Sequence, residues 1–163
     1  MTIPSNTPST RNASPTPAGA RTSPARVHVS RQIAATPEVL FAAWLDPESL
    51  AAWLRPGRAM RTIAKTDPVV GGKFQIDMHG AEQVYPHQGT YIEIDPPHRL
   101  VFTWASIATR HLDTLVTVEF KLKGAMTEVS ITHEQLPENE NCSHTEGWTD
   151  ALALLAEHVA RDS

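Results

Sequence analysis

Apolar and polar residues alternate with period two through most of the chain beyond residue 26, and recur with a period near 3.6 in three stretches. Val27, Val29 and Ile33 alternate with polar partners and predict a first strand. Thr36-Pro37-Glu38 then supplies an N-cap, a proline at the first helical position and an acid in the first turn. The helix it opens, Pro37–Leu45, carries Leu40, Phe41 and Trp44 on one face. Asp46-Pro47-Glu48 repeats the start signal and predicts a second short helix that buries Leu50, Trp53 and Leu54 and stops at Pro56-Gly57. From Ala59 to Leu136 the pattern is that of strands. Met60–Thr66 comes first, and Lys73–His79 turns Phe74, Ile76 and Met78 to one side. Val84–Ile94 is interrupted by Pro86 and Gly89, which predicts a bulge or an edge position. Arg99–Ser106 groups Leu100, Phe102 and Trp104; Thr114–Lys123 groups Val116, Val118, Phe120 and Leu122; Thr127–Gln135 groups Val129, Ile131 and His133. Gly71-Gly72, Gly80, Asp95-Pro96-Pro97-His98 and Gly124-Ala125 mark the turns between them.

The last periodic stretch, Ser143–Arg161, places Trp148, Leu152, Leu155 and Val159 on one face at steps of four, three and four, with Ala151 widening the stripe. Ser143 and Glu146 have capping-box spacing. A helix of about five turns spans roughly 28 Å, enough to cross a small sheet. The order is strand, two short helices, about six strands, long helix. It predicts an α+β domain, a curved antiparallel sheet of six to seven strands wrapped around the terminal helix.

Composition narrows the function classes. The first 25 residues are rich in Pro, Ser, Thr and Ala with one isolated aliphatic, Ile3, so a disordered tail is expected ahead of a single domain at 26–163. Fourteen basic and 18 acidic side chains give a net charge of −4 with no Lys/Arg run, which argues against nucleic acid as a partner. No apolar run reaches membrane-spanning length and no secretory signal is visible, so a cytoplasmic protein is expected. Cys142 stands alone, which excludes an internal disulfide and a cysteine zinc cluster. The eight histidines lack ligand spacing; His79 and His87 could meet across a hairpin, but a third ligand is missing. No nucleophile elbow, Walker loop or dinucleotide fingerprint occurs, so neither metal nor other cofactor is expected.

Five segments carry a family resemblance: TPEVLFAAWLDPESLAAW, the GGKF at Gly71–Phe74, YPHQGTYIEIDPPHRLVFTW at Tyr85–Trp104, VTVEFKLKGAMTEVSITHEQLP, and HTEGW at His144–Trp148. From about Val27 to Val159 the chain resembles the homologues of the activator of the ninety-kDa heat-shock protein's ATPase, within the START-like (SRPBCC, birch-pollen-allergen-like) helix-grip superfamily. It departs from the family at Leu54-Arg55-Pro56-Gly57, where an aromatic is usual. It departs again in THEQL, where Gln135 replaces a glycine and Leu136 an aromatic.

The resemblance implies a mostly apolar cavity between sheet and terminal helix that holds a small hydrophobic or aromatic molecule. The residues expected along it are Trp53, Phe74, Met78, Tyr91, Trp104, Phe120, His133, Trp148 and Leu152. For the tryptophans the plain alternative is core filling, and for His133 a core imidazole bonded to a neighbouring hydroxyl. The first functional reading is non-catalytic binding, in a stress, resistance or transport role. A polyketide cyclase or dehydratase would use the same cavity, with His133 moving protons. A third reading is a co-regulator that touches a chaperone, for which no charged stripe or apolar surface patch is visible. A homodimer is compatible with each.

Overall fold

A computed structural model describes residues 25–55 and 61–161 of the chain. In order these form β1 (Ala25–Ile33), α1 (Pro37–Leu45), α2 (Pro47–Trp53), β2 (Arg61–Thr66), β3 (Lys73–His79), β4 (Val84–Asp95), β5 (Arg99–Ser106), β6 (Thr114–Lys123), β7 (Met126–Leu136) and α3 (Asn141–Arg161). The tail expected over the first 25 residues lies outside the described residues except for Ala25, and so does the Pro56-Gly57 helix stop. All seven strands join one antiparallel sheet in the order β1-β7-β6-β5-β4-β3-β2. Strands β1 and β2, neighbours in sequence, are thus the two edges, and α1 and α2 carry the chain across the width between them. Helix α3 lies against β1, β7 and α2, while α1 lies against β6. This is the helix-grip arrangement the residue pattern predicts. No helix among the described residues is long and apolar enough to cross a membrane.

The corner between the short helices depends on Asp46. Its backbone N–H closes α1 on Ala42 O (3.0 Å), and its carboxylate accepts from Ser49 N–H (2.9 Å) to open α2. One residue therefore closes one helix and caps the next, the N-cap worth about 1 kcal/mol. The carbonyls left at the helix ends are taken up by the β2 edge: Thr66 Oγ1 donates to Leu45 O and Thr62 Oγ1 to Leu54 O, both at 2.9 Å. These hydroxyls fix the helical corner to the sheet.

Two bulges set which side chains reach the interior. In β4 the register with β5 shifts between Tyr91 and Glu93, so Ile92 is the extra residue. His87, Gly89 and Tyr91 share the inner face before it, and Ile94 is inward after it. The expected interruption at Pro86 and Gly89 is therefore displaced. β4 is an interior strand, and Pro86 sits beyond the last β5 partner, Ser106, where only β3 is alongside. Gly89 is needed because a Cβ there would overlap Thr103 O and the Phe74 ring. In β7, Val27 pairs with His133 but Ala25 with Leu136, so Glu134 and Gln135 together oppose Arg26. That extra residue returns Leu136 to the interior, 1 % exposed, although strict alternation would turn it outward. Gln135 achieves this at φ +68°, in the left-handed region that favours glycine.

Two other expectations are corrected. Leu122 is 65 % exposed, because the β6–β7 hairpin tip, Lys121–Lys123, runs past the core. Helix α3 begins at Asn141, two residues earlier than the capping box implies. The Ser143 hydroxyl bonds Glu140 Oε1 (2.9 Å), and His144 N–H reaches Glu140 O (3.2 Å), so Glu140 closes the first turn.

Along α3, Trp148, Ala151, Leu152, Leu155 and Val159 are buried as the spacing predicts. Trp148 also makes the polar tie between helix and sheet. Its Nε1–H donates to His133 Nδ1 at 3.0 Å, and Thr114 Oγ1 lies 2.7 Å from His133 Nε2 while donating to Trp104 O at 2.6 Å. Indole only donates and the carbonyl only accepts, so His133 is a neutral imidazole with its proton on Nε2. Burial, followed by the nearby His144, holds its pKa at about 3 against an ordinary 6.5.

Two outcomes are expected. Gln135→Gly relieves the left-handed backbone and raises stability by about 1 kcal/mol; a lower midpoint in urea denaturation would contradict the strain. His133, low in the folded state, binds its proton only in the unfolded chain near pH 6.5, so its contribution is complete above pH 6.5 and falls as pH drops toward 3. Lowering pH from 7.5 to 5.5 should cost the natural chain about 1.4 kcal/mol more than His133→Gln. His87, also held low by burial, is common to both chains and cancels in that comparison.

Candidate functional site

The inner faces of β3 and β5 and the small helices meet in a dense aromatic core. Phe74 packs on Tyr91 (5.3 Å between ring centroids) and edge-on to Phe102 (5.4 Å). Trp44 packs on Trp53 (4.9 Å) and Trp148 (6.1 Å). Between Trp44, Phe74, Tyr91 and Phe102 remains a void of about 10 Å³, the size of one water. The middle of the expected cavity is thus filled by side chains.

Open space lies at one end instead, where the first turns of α3 cross β3, β4 and β5. A cavity of about 190 Å³ is lined by Leu54, Met78, His87, Trp104, Ser106, Ala108, Ser143, His144, Gly147 and Trp148. Trp104 and Trp148 stand 5.2 Å apart and form its aromatic wall. His87 packs against Trp104 at 4.9 Å between ring centroids, the planes tilted by 40°. Exposed Ala108 and Ser143 mark the mouth. Gly147 faces this space, and a Cβ built there meets nothing within 4 Å. The wall is apolar except for the two histidines and two serines.

Of the residues predicted from sequence, Met78, Trp104 and Trp148 line this cavity. Phe74 and Tyr91 line the small void, and burial raises the Tyr91 phenol well above its ordinary pKa. Trp53 is buried in the helical corner, its Nε1–H on Ala43 O at 3.0 Å. Phe120 packs edge-on to Phe41 at 5.3 Å, and Leu152 is fully within the core. His133 sits behind Trp148, 0 % exposed, with both ring nitrogens engaged.

The sequence reading missed His87, Ser106, His144 and Gly147. Two signals locate them. Strand alternation puts His87 on the face of Tyr91 and Ser106 on the face of Trp104, and helical spacing puts His144 one turn before Trp148. In the sequence pattern His79 and His87 stand out only as possible metal ligands. His79 in fact pairs with Val84 and belongs to the opposite face of the sheet from His87. Among the described residues no three His, Cys, Asp or Glu side chains are grouped to hold a metal ion.

The electrostatics of His87 follow from its position. Burial lowers its pKa, opposed by the backbone of Ile76 and Tyr85 and by Asp77, while His144 lowers it further. Nδ1 is sealed from solvent without reaching hydrogen-bond geometry with any partner among the described residues. His144, at the mouth, places Nδ1 2.8 Å from Glu140 O and 3.7 Å from Glu140 Oε1. The arrangement suits an uncharged, largely apolar guest with one or two polar groups.

The same architecture occurs in solved structures. A protein of Chromobacterium violaceum is 28% identical, with a TM-score of 0.69 over 82% of this chain and 96% of its own. A Rhodobacter sphaeroides protein is 27% identical, with a TM-score of 0.72 over 83% and 93%. A Nitrosomonas europaea protein, 19% identical, superposes with a TM-score of 0.72 over 84% and 95%, which speaks to the fold alone. Among curated proteins none matches the chain. Residues 34–160 match the family described as Activator of Hsp90 ATPase homolog 1-like protein, nearly the whole of the folded region, and the chain belongs to that family.

Proposed function

We propose that this protein binds a small, mostly apolar aromatic molecule in the cavity beside Trp104 and Trp148, without catalysing a reaction on it. The observation that carries this reading is the contrast between the two spaces. The centre of the core is closed to about 10 Å³, whereas the end under α3 keeps about 190 Å³ walled by two indoles, Leu54 and Met78. Apolar cavities of about 150 Å³ accept a benzene ring, so a guest of one or two rings fits this scale. Gly147 supports the same reading: glycine within a helix costs about 1 kcal/mol against alanine, and here its missing side chain leaves the cavity open. The internal bonding of His133 favours a structural imidazole over one that moves protons on a guest.

The test is thermal denaturation against a panel of one- and two-ring aromatics, alkanes and fatty acids. Aromatic guests at about a hundredfold their Kd should add about 2.7 kcal/mol, seen as a rise of several degrees. Gly147→Leu should raise the melting temperature of the free protein, since leucine is the better helix former, and abolish the response by filling the cavity. A panel in which no aromatic compound stabilises the chain, or a Gly147→Leu variant that responds undiminished, refutes the assignment.

A further inference from the structure

The polar side of this cavity has a direction. His144 Nδ1 faces the Glu140 carbonyl oxygen at 2.8 Å, and a carbonyl can only accept, so in the neutral ring the proton sits on Nδ1. His87 Nδ1 is shut away from solvent and has no hydrogen-bond partner among the described residues, so no bond selects its tautomer. A neutral imidazole carries one N–H. The His144 ring is therefore left with the bare lone pair of Nε2 as its remaining polar atom. Trp148 cannot serve as a donor to a guest, because its indole N–H is spent on His133. His144 thus presents an acceptor beside an aromatic wall.

From this tautomer we infer that the cavity selects an aromatic ring bearing a hydroxyl, a phenol-type guest that lies against Trp104 and Trp148 and donates its O–H to Nε2 of His144. This rests on the reading of the cavity as a small-molecule site and adds the chemical class of the guest. A methyl ether of the same ring keeps the shape and the apolar contact but has no proton to donate. It leaves a buried lone pair facing an ether oxygen. The discrimination is therefore in the hydrogen bond, not in the fit.

Isothermal titration calorimetry at pH 8, where imidazoles are neutral, with 2-naphthol and 2-methoxynaphthalene separates the ideas. The full chain should bind the naphthol about three- to tenfold more tightly than its ether, the range one neutral hydrogen bond supplies. His144→Phe keeps a ring at the mouth and should bring the two affinities together. Equal affinities in the natural chain, or tighter binding of the ether, overturn the inference while leaving the cavity as an aromatic site. Binding of neither compound overturns the site as well. The comparison within the natural chain decides the matter even if the variant does not fold.

Discussion

The structure depends on one requirement, that an imidazole placed at the centre of an apolar core be fully satisfied. An unpaired buried polar nitrogen costs on the order of 1–3 kcal/mol, and a charged imidazole costs more. His133 escapes both because Trp148 donates to one nitrogen and Thr114 accepts from the other, with Trp104 O taking the hydroxyl proton. These three bonds join α3, β7, β6 and β5. They allow one seating of the helix on the sheet, since a shift by one turn would strand the Trp148 N–H and leave His133 Nδ1 buried without a donor. Apolar burial by Leu152, Leu155 and Val159 holds α3 down but is tolerant of sliding. The polar chain supplies the register.

That register also places the cavity. With Trp148 held to His133, His144 one turn earlier and Gly147 immediately before it overhang the ends of β4 and β5 and cannot close on them. Further along, the same helix meets β1 and β7 in close contact. The tight part and the open part are successive turns of one helix, so the bond that stabilises the first defines the mouth of the second.

Much of this was legible in the residue pattern because period two and period 3.6 are local properties. Phe74, Ile76 and Met78, or Trp148, Leu152 and Leu155, declare their face within a few residues. The proline-started helices at Pro37 and Pro47 were equally plain. What alternation cannot announce is a change of phase. The bulge at Ile92 and the one at Gln135 each need a partner strand to define them. Leu122 obeys the period yet lies beyond the core, because how far a hairpin extends past its helices is a tertiary fact. Which of the rings expected along the cavity fill the core instead was not legible for a similar reason. Strand faces say which rings point inward, but only packing volumes decide whether Phe74, Tyr91 and Phe102 fill the space they enclose.

The tryptophans have a further consequence, and it is optical. Trp53, Trp44, Trp148 and Trp104 form an unbroken series of neighbours at 4.9, 6.1 and 5.2 Å between ring centroids. Excitation absorbed by any of them migrates readily among indoles this close, so the four emit as one coupled chromophore and not as four separate probes. Two members of the series form the wall of the cavity. The intrinsic ultraviolet emission of the whole domain is thereby wired to a single place, and a guest lying against Trp104 or Trp148 would quench or shift the light of tryptophans it never touches.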